Sequence, residues 1–316
     1  MDNLRGVFEE VADGSKRGEG GGAFTGRSGR KCPAVWGPNE SRGAMSGTAP
    51  VSTLDGWRRA PFAAGGLAYD CYEKGEGPGV VLLPEVPGIT PEVIGLGEHL
   101  VGEGFTVVMP SLFGVPGRPG TLGRTALVSV RVCVSAEFRA FATNARRPVA
   151  DYLRALARDL AGRTPAAGVG VIGLCFTGGF ALAAAVDDAV LAPVMSQPSV
   201  PVPLGAARRA DAGVSQDELR RVVDRTRDEG LCVLALRFSG DPLSPEDRFT
   251  TLRARLGDAF KVIRLDSGPG NPDGFGRLAH SVLTLEVRES AGHRALRARE
   301  DVTAFLRERL GGRSQG

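Results

Sequence analysis

The fold of this 316-residue chain is decided by the stretch Val169-Gly170-Val171-Ile172-Gly173-Leu174-Cys175-Phe176-Thr177-Gly178-Gly179. Its first half is apolar, as a buried parallel strand is, and its second half opens an alanine-rich helix over residues 178–186. A cysteine therefore stands on a tight strand-to-helix turn, where small neighbours such as Gly173 and Gly178 relieve strain. We interpret Cys175 as a candidate nucleophile. The alternative is a buried cysteine beside a glycine-rich turn.

Strand-like and helical segments alternate on both sides of this stretch. Thr90 with Pro91 has the pattern of a helix start, and Ser215 with Glu218 that of a capping box. The alternation predicts α/β architecture, with a mostly parallel central sheet and helices on both faces. Segment 67–72 alternates and is interpreted as an edge strand. The other predicted strands are 79–84, 105–109, 169–173, 189–195, 231–238 and 260–265, and the predicted helices are 90–103, 149–160, 178–186, 215–227, 245–256 and 294–310.

The two ends of the chain differ from this alternating region. Eleven of the first 50 residues are glycine, and no helical or strand period runs through them. We expect residues 1–50 to be a disordered extension, with Met45 as a candidate start, because such a composition buries too little apolar area to offset its ordering entropy. One domain over 51–312 and a short tail over 313–316 complete the predicted organisation.

Composition and charge exclude several classes of protein. With 39 basic and 36 acidic side chains the formal charge is only +3, which gives no basic field for nucleic acid. No apolar run approaches the roughly 18 residues that a membrane span needs. The first 30 residues hold no apolar core of a secretory signal. These observations predict a soluble, cytoplasmic protein with no membrane or nucleic-acid partner.

Five cysteines are spread along the chain, and none forms a C-x-x-C pair with another. Neither a zinc site nor a redox dithiol is therefore predicted. The odd number and the expected cytoplasmic setting also argue against a disulfide framework.

Two further residues complete a catalytic pattern with Cys175. Asp241 follows the predicted strand 231–238, and His280 lies on a loop beyond strand 260–265. Open α/β sheets place their sites at the carboxyl ends of strands, and a nucleophile, acid and histidine follow in this chain order. Asp241 before Pro242 is alternatively a turn former. Of the other two histidines, His293 is expected at the surface and His99 packed or solvated on its helix.

Three blocks of sequence stand at the ends of predicted strands. They are residues 82–88 (Leu-Leu-Pro-Glu-Val-Pro-Gly), residues 173–179 around Cys175, and Gly240-Asp241 with Ala279-His280-Ser281. With these blocks the chain resembles the dienelactone hydrolase family of α/β-hydrolases, which are cysteine-dependent esterases and lactonases. The resemblance covers roughly residues 65–310.

The resemblance implies a role for each matching residue. Cys175 would be the nucleophile, His280 the base and Asp241 the carboxylate that orients the base. Glu85 would be the family's extra acid, which can hold or take the thiol proton before substrate arrives. The backbone N–H groups of Phe176 and Val86 would form the oxyanion hole.

The chain departs from the family pattern at two positions. Thr177 stands where the G-x-S-x-G elbow has its second glycine. Thr284 stands where well-studied members carry a substrate-binding arginine, so dienelactone itself is doubtful as the substrate. Other arginines precede the 149–160 helix and are interpreted as a solvated face: Arg131, Arg139, Arg146 and Arg147.

The sequence thus predicts a hydrolase that cleaves a carboxylic ester or lactone through a thioester acyl-enzyme. This chemistry requires neither a metal nor an organic cofactor, and none is expected. The glycine-rich loop 268–276 lacks the phosphate-cradling motif and is interpreted as an ordinary loop. The alternative is a catalytically silent member of the same fold that binds a small molecule or a protein. Neither interpretation fixes the oligomeric state.

Overall fold

Eight strands form one sheet in the structure, a computed structural model that describes residues 32, 47–121, 125, 148–199 and 205–311. The strands are β1 (Arg58–Ala64), β2 (Leu67–Lys74), β3 (Gly79–Leu83), β4 (Thr106–Pro110), β5 (Val169–Leu174), β6 (Val190–Ser196), β7 (Val233–Phe238) and β8 (Phe260–Leu265). Their spatial order is β1-β2-β4-β3-β5-β6-β7-β8. The β1–β2 and β2–β4 pairs are antiparallel and all other pairs are parallel, so the predicted mostly parallel sheet is confirmed.

Six helices of the described residues begin and end close to their predicted bounds, and a seventh, of four residues, was not predicted. Thr90 caps the first, with its hydroxyl 3.5 Å from the Val93 backbone nitrogen. The capping box is present, because Ser215 Oγ accepts from Glu218 N at 3.2 Å and Glu218 accepts from Ser215 N at 2.8 Å. The helices are α1 (Pro91–Gly102), α2 (Pro148–Arg163), α3 (Gly178–Ala184), α4 (Ala206–Arg209), α5 (Gln216–Asp228), α6 (Glu246–Leu256) and α7 (Arg294–Leu310).

Helices cover both faces of the sheet. In β3, Val81 and Leu83 pack in one apolar cluster with α2, α3, α5 and α6. Val80 and Leu82 point the other way and pack in a second cluster with α1 and α7. All five residues of β3 are buried, as expected for a strand at the centre of a parallel sheet that is covered on both sides.

The prediction of an edge strand over residues 67–72 is wrong in its position. β2 lies inside the sheet, paired with β4 on one side and with β1 on the other. β1 was not predicted, because it begins with two exposed arginines and contains Pro61. Proline cannot donate to a strand ladder, which confines it to edge strands such as this one.

The prediction of no disulfide bond is also wrong. Cys32 and Cys232 are disulfide-bonded across a separation of 200 residues, with a Cα–Cα distance of 5.7 Å. Pairing depends on distance in the fold, which sequence spacing does not report. Among the described residues, Cys71 and Cys175 are free thiols.

Several predictions concern parts of the chain outside the described residues. These are the extension over residues 1–50 apart from Cys32 and 47–50, the tail 313–316 and the four arginines before α2. Within the described ranges, every helix is too short or too polar to cross a bilayer.

Candidate active site

The four titratable residues predicted for the site follow four strands of the sheet. Glu85 lies just after β3, Cys175 directly after β5, Asp241 after β7 and His280 on the long loop between β8 and α7. Because these strands are parallel, their carboxyl ends share one edge of the sheet. The topology therefore brings all four to the same edge.

The Cys175 backbone is strained, as expected for a residue on a tight strand-to-helix turn. Its φ of +55° lies in the left-handed region, which costs a non-glycine residue on the order of 1–3 kcal/mol. Such strain persists only where the surroundings enforce it. The backbone around the turn is packed too closely to relax, because a Cβ at Gly173 would lie 2.2 Å from the Thr177 carbonyl oxygen. A Cβ at Gly178 would lie 2.8 Å from the Pro198 Cβ.

Thr177, the departure from the elbow pattern, has a structural role at this turn. Its fully buried hydroxyl accepts a hydrogen bond from the Leu174 backbone N–H at 2.9 Å. As a donor, the same oxygen has three carbonyl oxygens within reach, that of Leu174 at 2.8 Å, that of Leu83 at 3.1 Å and that of Pro84 at 3.3 Å. Thr177 thereby joins the turn after β5 to the end of β3.

His280 and Asp241 form a hydrogen-bonded pair. The Nδ1 atom of His280 lies 2.7 Å from Asp241 Oδ2, and the aspartate side chain has no exposed surface. The other oxygen, Oδ1, accepts from the Leu243 backbone N–H at 3.0 Å, which fixes the carboxylate. Nδ1 is therefore the ring atom that carries a hydrogen, and Nε2 is the atom left for chemistry. Nε2 is buried without a hydrogen-bond partner among the residues that the structure describes.

Burial disfavours the charged ring and by itself lowers the pKa of His280. The hydrogen bond to Asp241 and the interaction with Cys175 outweigh burial and raise this pKa to about 11. Cys175 is thus close enough to His280 to raise the pKa of its ring. At neutral pH the ring is therefore protonated on both nitrogens and positively charged, and this charge favours an anionic sulfur beside it.

Glu85 is buried in a polar network on the same edge. Its carboxylate accepts from Ser281 Oγ at 2.7 Å, from Gln197 Nε2 at 3.3 Å and from Thr284 Oγ1. Thr284, which replaces the family's arginine, is therefore a direct partner of the extra acid. Within the described residues, Glu85 makes these three side-chain hydrogen bonds and none to Cys175.

Sequence reasoning missed two residues after β6, where the chain reads Ser196-Gln197-Pro198-Ser199. Gln197 is fully buried, has a φ of +36° and joins Glu85 to the histidine loop, because its Oε1 accepts from the Val282 backbone N–H at 3.3 Å. Ser199 Oγ lies 3.1 Å from Cys175 Sγ. Neither residue titrates or belongs to a motif. Their position after a parallel strand was the one available signal.

The two backbone N–H groups expected to form the oxyanion hole lie on neighbouring strand ends. Phe176 directly follows Cys175 after β5, and Val86 directly follows Glu85 after β3. β3 and β5 are adjacent and parallel, with Leu83 opposite Gly173. The Phe176 ring packs edge-on against Phe180, with 5.6 Å between ring centroids.

The other two histidines lie outside this site. His99 packs on α1 with Nε2 3.2 Å from Thr303 Oγ1, as expected of a packed helix residue. The prediction that His293 lies at the surface is wrong. It is 1% exposed and packs edge-on against Phe275, because the loop before α7 folds over it. In the described ranges, no three His, Cys, Asp or Glu side chains cluster as metal ligands would.

The sheet order and the strained strand-to-helix turn define an α/β-hydrolase fold. The chain matches the model of the dienelactone hydrolase family over residues 66–307, and it belongs to that family. Family membership implies a hydrolase that acts on a small molecule.

Solved structures agree on the fold. A candidate dienelactone hydrolase from Klebsiella pneumoniae is 16% identical, with a TM-score of 0.50, and the match covers 81% of this chain and 98% of that one. A dienelactone hydrolase-like promiscuous phosphotriesterase from metagenomic libraries is 17% identical, with a TM-score of 0.50 and coverage of 79% and 98%. No curated protein matches the chain.

Proposed function

We propose that the protein hydrolyses a carboxylic ester or lactone, with Cys175 as nucleophile, His280 as acid and base, and Asp241 as the residue that orients His280. One observation carries the proposal: the imidazole of His280 is hydrogen-bonded to buried Asp241 at 2.7 Å and interacts electrostatically with the strained Cys175. This arrangement supports the assignment of a nucleophile, a base and an orienting acid.

Acylation starts from the anionic sulfur beside the protonated ring. The sulfur attacks the carbonyl carbon, and the carbonyl oxygen becomes an oxyanion. The backbone N–H groups of Phe176 and Val86 are proposed to bind it, a stabilisation worth about 3–4 kcal/mol per donor in comparable enzymes. As the intermediate collapses, the carbon–oxygen bond breaks and His280 gives its proton to the leaving alkoxide. The products are an alcohol and a thioester on Cys175.

Deacylation uses the same ring in the opposite direction. The sulfur of a thioester is neutral, so its contribution to the raised pKa of His280 disappears. The neutral ring takes a proton from water, and the resulting hydroxide attacks the thioester. The carbon–sulfur bond breaks, releasing the carboxylic acid and restoring the sulfur anion beside the protonated ring. Asp241 keeps Nε2 facing the reacting atoms throughout.

Glu85 is proposed to hold or take the thiol proton before substrate arrives, so that the anionic sulfur from which acylation starts forms fully only as substrate binds. To exchange a proton with the sulfur, its carboxylate must give up a hydrogen bond to Ser281, Thr284 or Gln197. Because Thr284 supplies a hydroxyl where the family has a cation, the proposed substrates are neutral esters and lactones rather than dicarboxylate-like lactones. The expected cytoplasmic location stays a prediction.

A screen of p-nitrophenyl esters and small lactones tests the function, with Cys175→Ala as the control. We expect the wild type to hydrolyse at least one series and the variant to lose about 10⁴-fold in rate. Hydrolysis by the folded variant at the wild-type rate would overturn the proposed nucleophile. A wild type that hydrolyses no ester and whose cysteines all react slowly with iodoacetamide would instead be a binding module.

A further inference from the structure

Ser199 contacts the proposed nucleophile at two points. Its hydroxyl oxygen lies 3.1 Å from Cys175 Sγ, and its backbone N–H donates to the Cys175 carbonyl oxygen at 3.1 Å. The side chain is buried, with 8% of the residue exposed. Ser199 therefore holds both the backbone and the sulfur of the residue on which the proposed chemistry depends.

The hydroxyl is a second polar group beside the sulfur. His280 interacts with Cys175 strongly enough to raise the pKa of its own ring, but Nε2 makes no well-directed hydrogen bond among the described residues. A serine hydroxyl can donate to an anionic sulfur, and hydrogen bonds to charged groups are about twice as strong as neutral ones. Once the sulfur becomes a neutral thioester, this bond weakens. The hydroxyl thus favours the anionic form that attacks.

Arg248 fixes the segment that presents Ser199. Its Nη1 donates to the carbonyl oxygens of Pro198 and Ser199, both at 3.1 Å, and its Nε donates to the Asp211 carbonyl oxygen at 2.6 Å. The guanidinium is fully buried, and burial lowers the pKa of Arg248 to about 10. In the described structure these three hydrogen bonds go to main-chain carbonyls, and the nearby Asp211 carboxylate partly offsets the cost of burying the charge. The hydrogen bonds tie the segment of Pro198 and Ser199 to Asp211.

We propose that Ser199 is a further catalytic residue, whose hydroxyl donates to the anionic Cys175 sulfur and stabilises it, and that Arg248 is the positioning residue that holds Ser199 in place. This inference rests on the proposed function, since it assigns Ser199 to the same nucleophile. It also extends the site to a fifth strand end, that of β6.

The rate of iodoacetamide labelling at Cys175, followed on its peptide by mass spectrometry from pH 5 to 9, tests Ser199. We expect Ser199→Ala to label about tenfold more slowly than wild type near pH 6 and to approach the wild-type rate near pH 9, as loss of one hydrogen bond to a charged group requires. Ser199→Thr keeps the hydroxyl and should restore the wild-type profile. Thr303→Val, which removes a buried hydroxyl on α7, should also label like wild type.

Substitutions at two buried arginines test whether Arg248 positions Ser199. Arg225 is buried like Arg248 and donates to three main-chain carbonyls, those of Ala185, Asp187 and Val190, but at the opposite end of β6. Arg248→Met and Arg225→Met should both lower the unfolding temperature. Only the Arg248 variant should shift the labelling profile toward that of Ser199→Ala. If Arg248→Met does not fold, Arg248→Lys replaces it, with Arg225→Lys as its partner.

Each result is decisive. A Ser199→Ala profile that superimposes on the wild type overturns the role of Ser199, and equal profiles for the two arginine variants overturn that of Arg248. Labelling reports on the sulfur without any substrate, so an absence of ester hydrolysis would count against the proposed function and not against this contact.

Discussion

The hydroxyl oxygen of Thr177 lies 3.1 Å from the carbonyl oxygen of Leu83, although 94 residues separate the two in sequence. This contact links the turn that carries Cys175 to the strand end that leads into Glu85. A glycine at position 177, which the usual elbow motif has, offers no such link. The departure from the motif thus has a physical function, since the hydroxyl also satisfies the buried Leu174 N–H.

Thr177→Val is expected to destabilise the protein by about 1–3 kcal/mol, because it leaves the buried Leu174 N–H without its acceptor. Loss of the link to β3 should also lower ester turnover by at least tenfold. Urea unfolding and ester kinetics measure the two effects. Thr164→Val is the matched control, since its hydroxyl bonds the Leu160 carbonyl at the end of α2 and should leave turnover unchanged. Wild-type turnover in Thr177→Val would show that the link does not position the site.

His280→Gln should lower ester hydrolysis by about 10³-fold or more, because glutamine can neither donate the proton to the leaving group nor take one from water. His99→Gln and His293→Gln should stay within about threefold of wild type in activity. His293 is buried, however, so its variant should unfold at a lower temperature. Kinetics on all three folded variants make the comparison. Strong loss in His99→Gln or His293→Gln with an active His280→Gln would reassign the base.

His280 should titrate at a much higher pH than the other two histidines. The pKa of His280 is raised to about 11, so its ring should still be protonated at pH 8. Burial and the positive charge of Arg299 lower the pKa of His99 to about 4, and burial also lowers that of His293, so both should be neutral at pH 7. Imidazole ¹⁵N shifts measured by NMR report the charge of each ring.

Cys175→Ala is the control for this titration, and it should move the His280 midpoint to lower pH because it removes one source of the shift. A His280 ring that titrates near 6.5 in the wild type would contradict the charged pair.

Glu85→Gln should raise the rate of Cys175 labelling at acidic pH, the opposite of the effect expected for Ser199→Ala. A nearby carboxylate disfavours an anionic sulfur, and the amide removes its charge. Turnover should fall while the fold persists. Glu98→Gln on α1 is the control, because it neutralises a carboxylate bonded to Trp57 and Lys74 away from the site. If the Glu85→Gln labelling profile and turnover match the wild type, Glu85 is a purely structural anchor for the loop of Ser281 and Thr284.

The sequence predicted the structural features that depend on residues close to one another along the chain. The helix over Arg294–Leu310 has its predicted bounds, and the capping box at Ser215 is present, because both depend on neighbouring residues. Cys175, Asp241 and His280 were identifiable because each is chemically distinctive and follows a strand. Parallel strands bring such positions to one edge.

What the sequence did not reveal depends on distant contacts. Ser281 and Thr284 reach Glu85 across 196 and 199 residues, and Gln197 reaches it across 112. Hydroxyls and amides are common in every loop, so only the assembled fold distinguishes those that contact the site. The Cys32–Cys232 disulfide and the burial of His293 are equally long-range consequences.

The covalent intermediate tests the central claim most directly. Wild-type protein mixed rapidly with p-nitrophenyl acetate and quenched in acid should carry one acetyl group, located on the Cys175 peptide by mass spectrometry and released by hydroxylamine. Cys175→Ala should carry none and should not hydrolyse the ester. An acetyl group on a different residue of the wild type, or hydrolysis by Cys175→Ala at the wild-type rate, would contradict the thioester mechanism.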